Sequence, residues 1–266
     1  MALTWLVTGT TSGIGEALVG EILARGDKVI ASGRKVEERL GPKIDKSENL
    51  VFLELDITES QVEVEAKIKK AWHIFGSIDV LFNNAGCTGF RSAEEADDAF
   101  IQKMFQVNLF GPMHLTSAIL PLFRAQGHGC VTFTSSSSVW APLPFMGHYA
   151  ATKAALSAYV ESLHKEVNPM GIRCVAIECG GTPTLLGQPR GEETLDPPAI
   201  DGYLPLFGGV MELFTKTPLD SLPGDVTRVA ARIVDIVKRE GMAAGRPWDI
   251  RVPLGSDGWG FAAQKC

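Results

Sequence analysis

Short apolar runs alternating with longer helical patterns constrain this chain more than any other feature. Residues 3–8, 28–32, 50–55, 79–83, 130–135 and 174–177 are apolar and β-branched, with few charges. Runs of that kind suit the central strands of a parallel sheet, which are covered on both faces. Residues 14–25, 61–75, 97–124, 149–167 and 225–240 carry helical patterns between and after them. Gly26 follows the first as a C′ residue. Thr58-Glu59-Ser60-Gln61 reads as a capping box opening the second, and Gly76 closes it. Asn108 and Gly111-Pro112 mark expected irregularities in the third, and Asn168-Pro169 stops the fourth. Strand–helix–strand repetition implies right-handed crossovers and an α/β, doubly wound parallel sheet with helices on both faces. Residues 1–266 read as a single domain, with an insertion at 185–222 that lacks clean periodicity.

A chain of 266 residues, 45% hydrophobic and 21% charged, can bury a sizeable core. Its formal net charge of −6 offers no basic footprint, so no nucleic-acid partner is expected. The five cysteines, Cys87, Cys130, Cys174, Cys179 and Cys266, lie far apart and include no CxxC pair. That usage speaks against a disulfide framework or a zinc site, and no metal is expected. The apolar start breaks at Thr8-Gly9, too early for a membrane span. The expectation is a cytoplasmic protein whose N-terminus is a buried strand.

The turn after that strand, Thr8-Gly9-Thr10-Thr11-Ser12-Gly13-Ile14-Gly15, opens a helix. In this setting Gly9 permits a tight turn, Gly13 lets backbone approach a pyrophosphate, and Gly15 lets helix and strand pack closely. Helix N–H groups and the helix dipole then hold phosphates. The loop therefore reads as the phosphate site of a Rossmann-like fold, with Thr8, Thr11, Ser12 and Ile14 as its other members. The spacing is G-x-x-x-G-x-G, not G-x-G-x-x-G. The second run ends Ser32-Gly33-Arg34, without the carboxylate that holds a ribose 2′-hydroxyl in NAD sites. A guanidinium there can fork onto a 2′-phosphate, so the expected cofactor is NADP(H). Asp56-Ile57 either meet the adenine or, in the case of Asp56, form a turn near Thr58. In Asn83-Asn84-Ala85-Gly86, small residues allow close approach of the cofactor and the amides can tie neighbouring strands.

Together with Asn108 in Val107-Asn108-Leu109-Phe110-Gly111, the serine run 135–138, and Tyr149 followed by Lys153, these motifs resemble the short-chain dehydrogenase/reductase family. Arg251-Val252-Pro253-Leu254-Gly255-Ser256-Asp257 is similar to an ending of its steroid- and retinoid-type and fungal oxidoreductase members. The resemblance implies a catalytic set of Ser136, Tyr149, Lys153 and Asn108. The family's serine lies thirteen residues before its tyrosine, which selects Ser136. Lys153 would also hold ribose hydroxyls, and Asn108 would support a water reaching Lys153. Gly180, Thr182 and Thr184 would border the nicotinamide. Cys179 stands where relatives carry proline and reads as a passive replacement, since no neighbouring base or cation in the sequence activates it.

Residues at i and i+4 share a helix face, so Tyr149 and Lys153 should point together. An ammonium beside a phenol lowers its pKa from about 10. Tyr149 is then the general acid in carbonyl reduction and the base in alcohol oxidation. Ser136 would donate to the substrate oxygen. His148 diverges from Tyr149 by about 100° on a helix and reads as a pocket-edge residue.

Leu185, Leu186, Ile200, Tyr203, Leu204, Leu206, Phe207, Val210, Met211, Leu213 and Phe214 make 185–222 an apolar cover for a substrate, joined by Trp140, Leu143, Phe145 and Met146. Arg91 and Arg190 have no assigned place. The expected function is NADP(H)-dependent reduction of a hydrophobic ketone or aldehyde to an alcohol, or the reverse. Alternatives are a biosynthetic enzyme steering cyclisation or isomerisation in the same pocket, and a non-catalytic cofactor-binding regulator. Relatives pair through helices matching 97–124 and 149–167, so a homodimer or homotetramer is expected.

Overall fold

Thr4–Thr8 (β1) is buried along its whole length and pairs in parallel on both sides, with Lys28–Gly33 (β2) and Val80–Asn83 (β4). The computed structural model describes residues 2–186, 196–216 and 222–266, and the side chains of 2–186, 196–212 and 222–266. Arg190 and the side chains of Leu213 and Phe214, assigned above to the cover segment, lie outside these. Leu50–Glu54 (β3) joins β2; Gly129–Ser136 (β5), Ile172–Cys179 (β6) and Arg251–Leu254 (β7) extend the sheet beyond β4. The order is β3-β2-β1-β4-β5-β6-β7, parallel throughout. Winding reverses between β1 and β4, and the crevice at their carboxyl ends is where such sheets bind ligands.

The two-residue alternation of a strand sorts the core into two layers. Leu6, Ile30, Leu81 and Val131 pack on Gln61–Ile74 (α3), Gly111–Gln126 (α5) and Gly147–Val167 (α6). Trp5, Val7, Val29 and Phe82 face the other way, onto Gly13–Ala24 (α1) and Val226–Lys238 (α8). Asp27 is buried among the second set. It accepts from the Trp5 indole at 3.1 Å and pairs with Lys238 at 3.0 Å.

Several local expectations need correction. The capping box that opens α3 is Ser60 with Glu63, not Thr58 with Gln61. Thr58 is diverted because its hydroxyl and amide both bond to Asp56, at 2.8 and 2.9 Å. The segment 185–222 contains a helix, Leu204–Lys216 (α7), which its pair of glycines hid from a periodicity reading. Val36–Leu40 (α2), β7 and the terminal Ser256–Lys265 (α9) are further elements absent from that reading. Between Asp98–Phe105 (α4) and α5 the irregularity at Asn108 is a π-helical turn, Gln106–Phe110. Such turns recur at functional sites.

Candidate active site

Glycine geometry builds the floor of the crevice. Gly9 has φ of +69°, and a Cβ there would lie 2.7 Å from the Ala85 Cα. A Cβ on Gly15 would meet the Gly9 carbonyl oxygen at 2.3 Å. Both positions therefore require glycine, the first for conformation and approach, the second for packing. Gly15 faces the loop and not the cleft. Thr8 is likewise a brace: its hydroxyl accepts from the Asn84 and Ala85 amides at 3.0 and 3.1 Å.

A chain of hydrogen bonds runs from this loop to Lys153. The Asn84 amide donates to the carbonyls of Thr8 and Gly9 at 3.1 and 3.2 Å. Its oxygen accepts from the Thr134 hydroxyl at 3.1 Å, and the Thr134 carbonyl accepts from Lys153 Nζ at 2.8 Å. Thr134 has no part in the sequence reading; its location two residues before Ser136 on β5 was the available signal. Asn108 is fully buried and clamps the segment after β4. It accepts from the Cys87 amide and donates to the Cys87 carbonyl, both at 2.9 Å, and donates to the Thr152 hydroxyl at 3.2 Å. Its amide thus braces the helix that carries Lys153 and makes no direct bond to the ammonium.

Tyr149 and Lys153 share the buried face of α6, each 4% exposed. Ser136, the last residue of β5, neighbours Tyr149, and its hydroxyl accepts from the Ser138 amide at 3.1 Å. Burial raises the Tyr149 pKa to about 12, against the pull of Ser136, and lowers Lys153 to about 8. The expected lowering of the phenol does not occur in the chain alone. Lys153 Nζ is held by the Thr134 carbonyl and lies over the Tyr149 ring, 5.8 Å from its centroid, so desolvation dominates. Burial likewise pushes the Cys179 thiol up to about 12, which leaves no thiolate near neutrality.

The resulting cleft has a volume of about 340 Å³, within the roughly 300–1,000 Å³ of small-molecule sites. Gly9, Thr11, Ser12, Gly13 and Ile14 line it, with Asn84, Ala85, Gly86, Thr184, Tyr149 and Lys153. Arg34, Asp56 and Ile57 also line it, joined by Arg39 and Lys103, two residues missing from the sequence reading. Arg34 is 69% exposed in its side chain, with Asp56 3.9 Å away. Asp56 lines the cleft and accepts from the Thr58 amide and hydroxyl. Gly180 and Thr182 are not in the lining. Asp257 of α9 occupies the space beside Gly180 and accepts from the Gly181 amide at 2.6 Å, while Thr182 bonds back to the Gly180 carbonyl at 3.1 Å. Among the described residues no group of three or more His, Cys, Asp or Glu side chains can hold a metal ion, and no helix is long and apolar enough to cross a membrane.

Tyr149 packs into an apolar cluster with Phe90, Met104, Phe145, Met146, Phe207 and Val210. Phe145 takes a left-handed backbone, φ +63°, and its ring meets Phe207 edge-on at 5.2 Å. Leu204, Leu206 and Ile200 point to solvent instead. Trp140 is also a departure from expectation, because its indole N–H is drawn to Glu178 at 2.6 Å. His148 packs edge-on against Phe100 and does not line the cleft.

A parallel sheet with a glycine cradle at its switch point, and a Ser–Tyr–Lys group at the cradle's far end, defines a nucleotide-dependent oxidoreductase architecture. Sequence comparison agrees. The family described as short chain dehydrogenase matches residues 4–194. The oxidoreductase BOA17 of Botryotinia fuckeliana (strain B05.10) is 29% identical over 238 residues, 88% of this chain and 85% of that protein. An NADPH-dependent 1-acyldihydroxyacetone phosphate reductase of Saccharomyces cerevisiae is 30% identical over 187 residues, 70% of this chain and 63% of that one. The crystal structure of a short-chain dehydrogenase from Streptomyces avermitilis superposes with a TM-score of 0.84 at 30% identity, covering 99% of this chain and 92% of that one. The chain belongs to the short-chain dehydrogenase family. It is an oxidoreductase of the class that interconverts alcohols and carbonyl compounds.

Proposed function

We propose that the chain is an NADP(H)-dependent reductase of hydrophobic ketones or aldehydes, with Tyr149 as general acid and, in reverse, general base. The observation that carries this reading is the placement of Tyr149: beside Ser136, one helical turn from Lys153, where the polar cleft meets the apolar cluster. The cleft is read as the dinucleotide site. Gly9 and Gly13, both at positive φ, line it together with the exposed Arg34 and with Arg39. Similarity to the yeast NADPH-dependent reductase supports the same preference. When bound, NADPH supplies the hydride that reduces the carbonyl carbon.

Every other part belongs to the chain. Ser136 and Tyr149 offer two hydroxyls to one substrate oxygen, and Ser136 stabilises the charge that develops there. Tyr149, protonated up to about pH 12, gives its proton to that oxygen. Lys153 holds a cation one turn away that favours the phenolate left behind. Asn108 braces this pair through Cys87 and Thr152. Phe90, Phe145 and Phe207, packed together beside Tyr149 with Val210 of α7, favour an apolar substrate body. The test is NADPH oxidation against a panel of hydrophobic ketones and aldehydes, with Tyr149→Phe alongside. Turnover that the variant abolishes supports the reading. Turnover that it retains removes Tyr149 from the mechanism, and product isomers without NADPH loss would favour a steering enzyme.

A further inference from the structure

Glu178 lies behind the catalytic serine and takes no part in the chemistry above. It is on β6, fully buried, in register with Ser135 of β5. Its carboxylate accepts from the Trp140 indole at 2.6 Å, the Ser157 hydroxyl at 3.0 Å and Arg251 Nε at 2.7 Å. Arg251, on β7, also reaches Glu161 at 3.1 Å and lays its guanidinium over the Trp140 ring, 4.3 Å from the centroid. Ser157 is one turn beyond Lys153, and its hydroxyl is 3.0 Å from that of Ser135. Ser135 lies 3.4 Å from the Lys153 carbonyl oxygen. One carboxylate therefore joins the residue before Ser136, the segment after it, and the helix that carries Tyr149 and Lys153.

A buried ion pair is a poor source of stability, since well-packed apolar side chains often serve as well or better. What the pair supplies here is direction: three donors from three elements converge on two oxygens. We propose that Glu178, held by Arg251, is a positioning residue for the Ser136–Tyr149 pair, fixing through Trp140 and Ser157 how segment 137–146 leaves β5 and how α6 lies on the sheet. The proposal rests on the catalytic reading of Ser136 and Tyr149.

Hydrogen–deuterium exchange on the full chain tests it without a substrate. Glu178→Gln should raise exchange at least tenfold in peptides covering 137–146 and the start of α6, and leave β1 and α1 unchanged. Trp140→Phe, which keeps the ring and removes one donor, should raise it in 137–146 alone. A uniform rise, or none in 137–146, overturns the proposal. In turnover of 1-tetralone with NADPH, Glu178→Gln should lower kcat by about ten- to a hundredfold, as small misplacements do, with the KM for NADPH within twofold. Adding Arg251→Met removes the part-buried cation that has lost its Glu178 partner and should restore part of the melting temperature while kcat stays low. Recovery of kcat with stability would make the role merely structural and overturn the proposal. If wild type reduces no ketone while the exchange pattern holds, the functional reading fails and the positioning stands.

Discussion

Lys153 carries its ammonium where folding disfavours it, and that cost can be measured. Burial lowers its pKa from 10.5 to about 8. At about 1.4 kcal/mol per unit, the shift amounts to about 3 kcal/mol held in the chain without cofactor. The unfolded chain keeps the proton to about pH 10.5, whereas the folded chain releases it near 8. Between those values the unfolded state binds more protons, so stability rises with pH; below 8 the cost is present in full. Lys153→Met removes this titration. The variant should therefore gain on wild type at pH 7, less the loss of the 2.8 Å bond to Thr134. Its advantage should shrink by up to about 1.4 kcal/mol per unit between pH 8 and 10. Urea unfolding of both chains at pH 7, 8, 9 and 10, followed by tryptophan fluorescence, reads the difference. Tyr149, raised to about 12, is common to both and titrates above this window. A flat difference would mean that folding does not penalise the ammonium; an advantage that grew with pH would mean that a partner stabilises it.

Three other outcomes are expected. Tyr149→Phe should cut kcat by about a hundredfold or more and leave the NADPH dissociation constant unchanged, by stopped-flow and equilibrium titration. Arg34→Ala should weaken NADPH about tenfold, a modest loss for an exposed cation, and leave NADH unaffected. Gly9→Ala should cost about 1–3 kcal/mol by thermal unfolding, since it combines a positive φ with a 2.7 Å contact to Ala85, and should abolish the thermal shift produced by NADPH.

The parts of this molecule governed by local rules were legible in the sequence. Alternating apolar runs located six of the seven strands, and the glycine turn after β1 placed the cleft at the switch point. Tyr149 and Lys153 share a face because four residues make about one helical turn. What was not legible depends on long-range burial. No spacing rule shows that Trp140 turns from the substrate side to Glu178, 38 residues away. Nor does one show that Asp257 of α9 fills the space beside Gly180. The phenol's direction differs for the same reason: a charge four residues off favours a lower value, but the desolvation of the buried phenol is larger. The helix α7 escaped because Gly208 and Gly209 weaken its propensity, while packing of Phe207 and Val210 in the apolar cluster beside Tyr149 supports it.

The most direct test of the central claim is a side-by-side titration of NADPH and NADH into the chain without cofactor, read by energy transfer from its tryptophans to the nicotinamide. The account predicts saturable NADPH binding with a dissociation constant at least about tenfold below that of NADH. Preference for NADH would contradict the role given to Arg34. Binding of neither would contradict the assignment of the glycine-lined cleft itself.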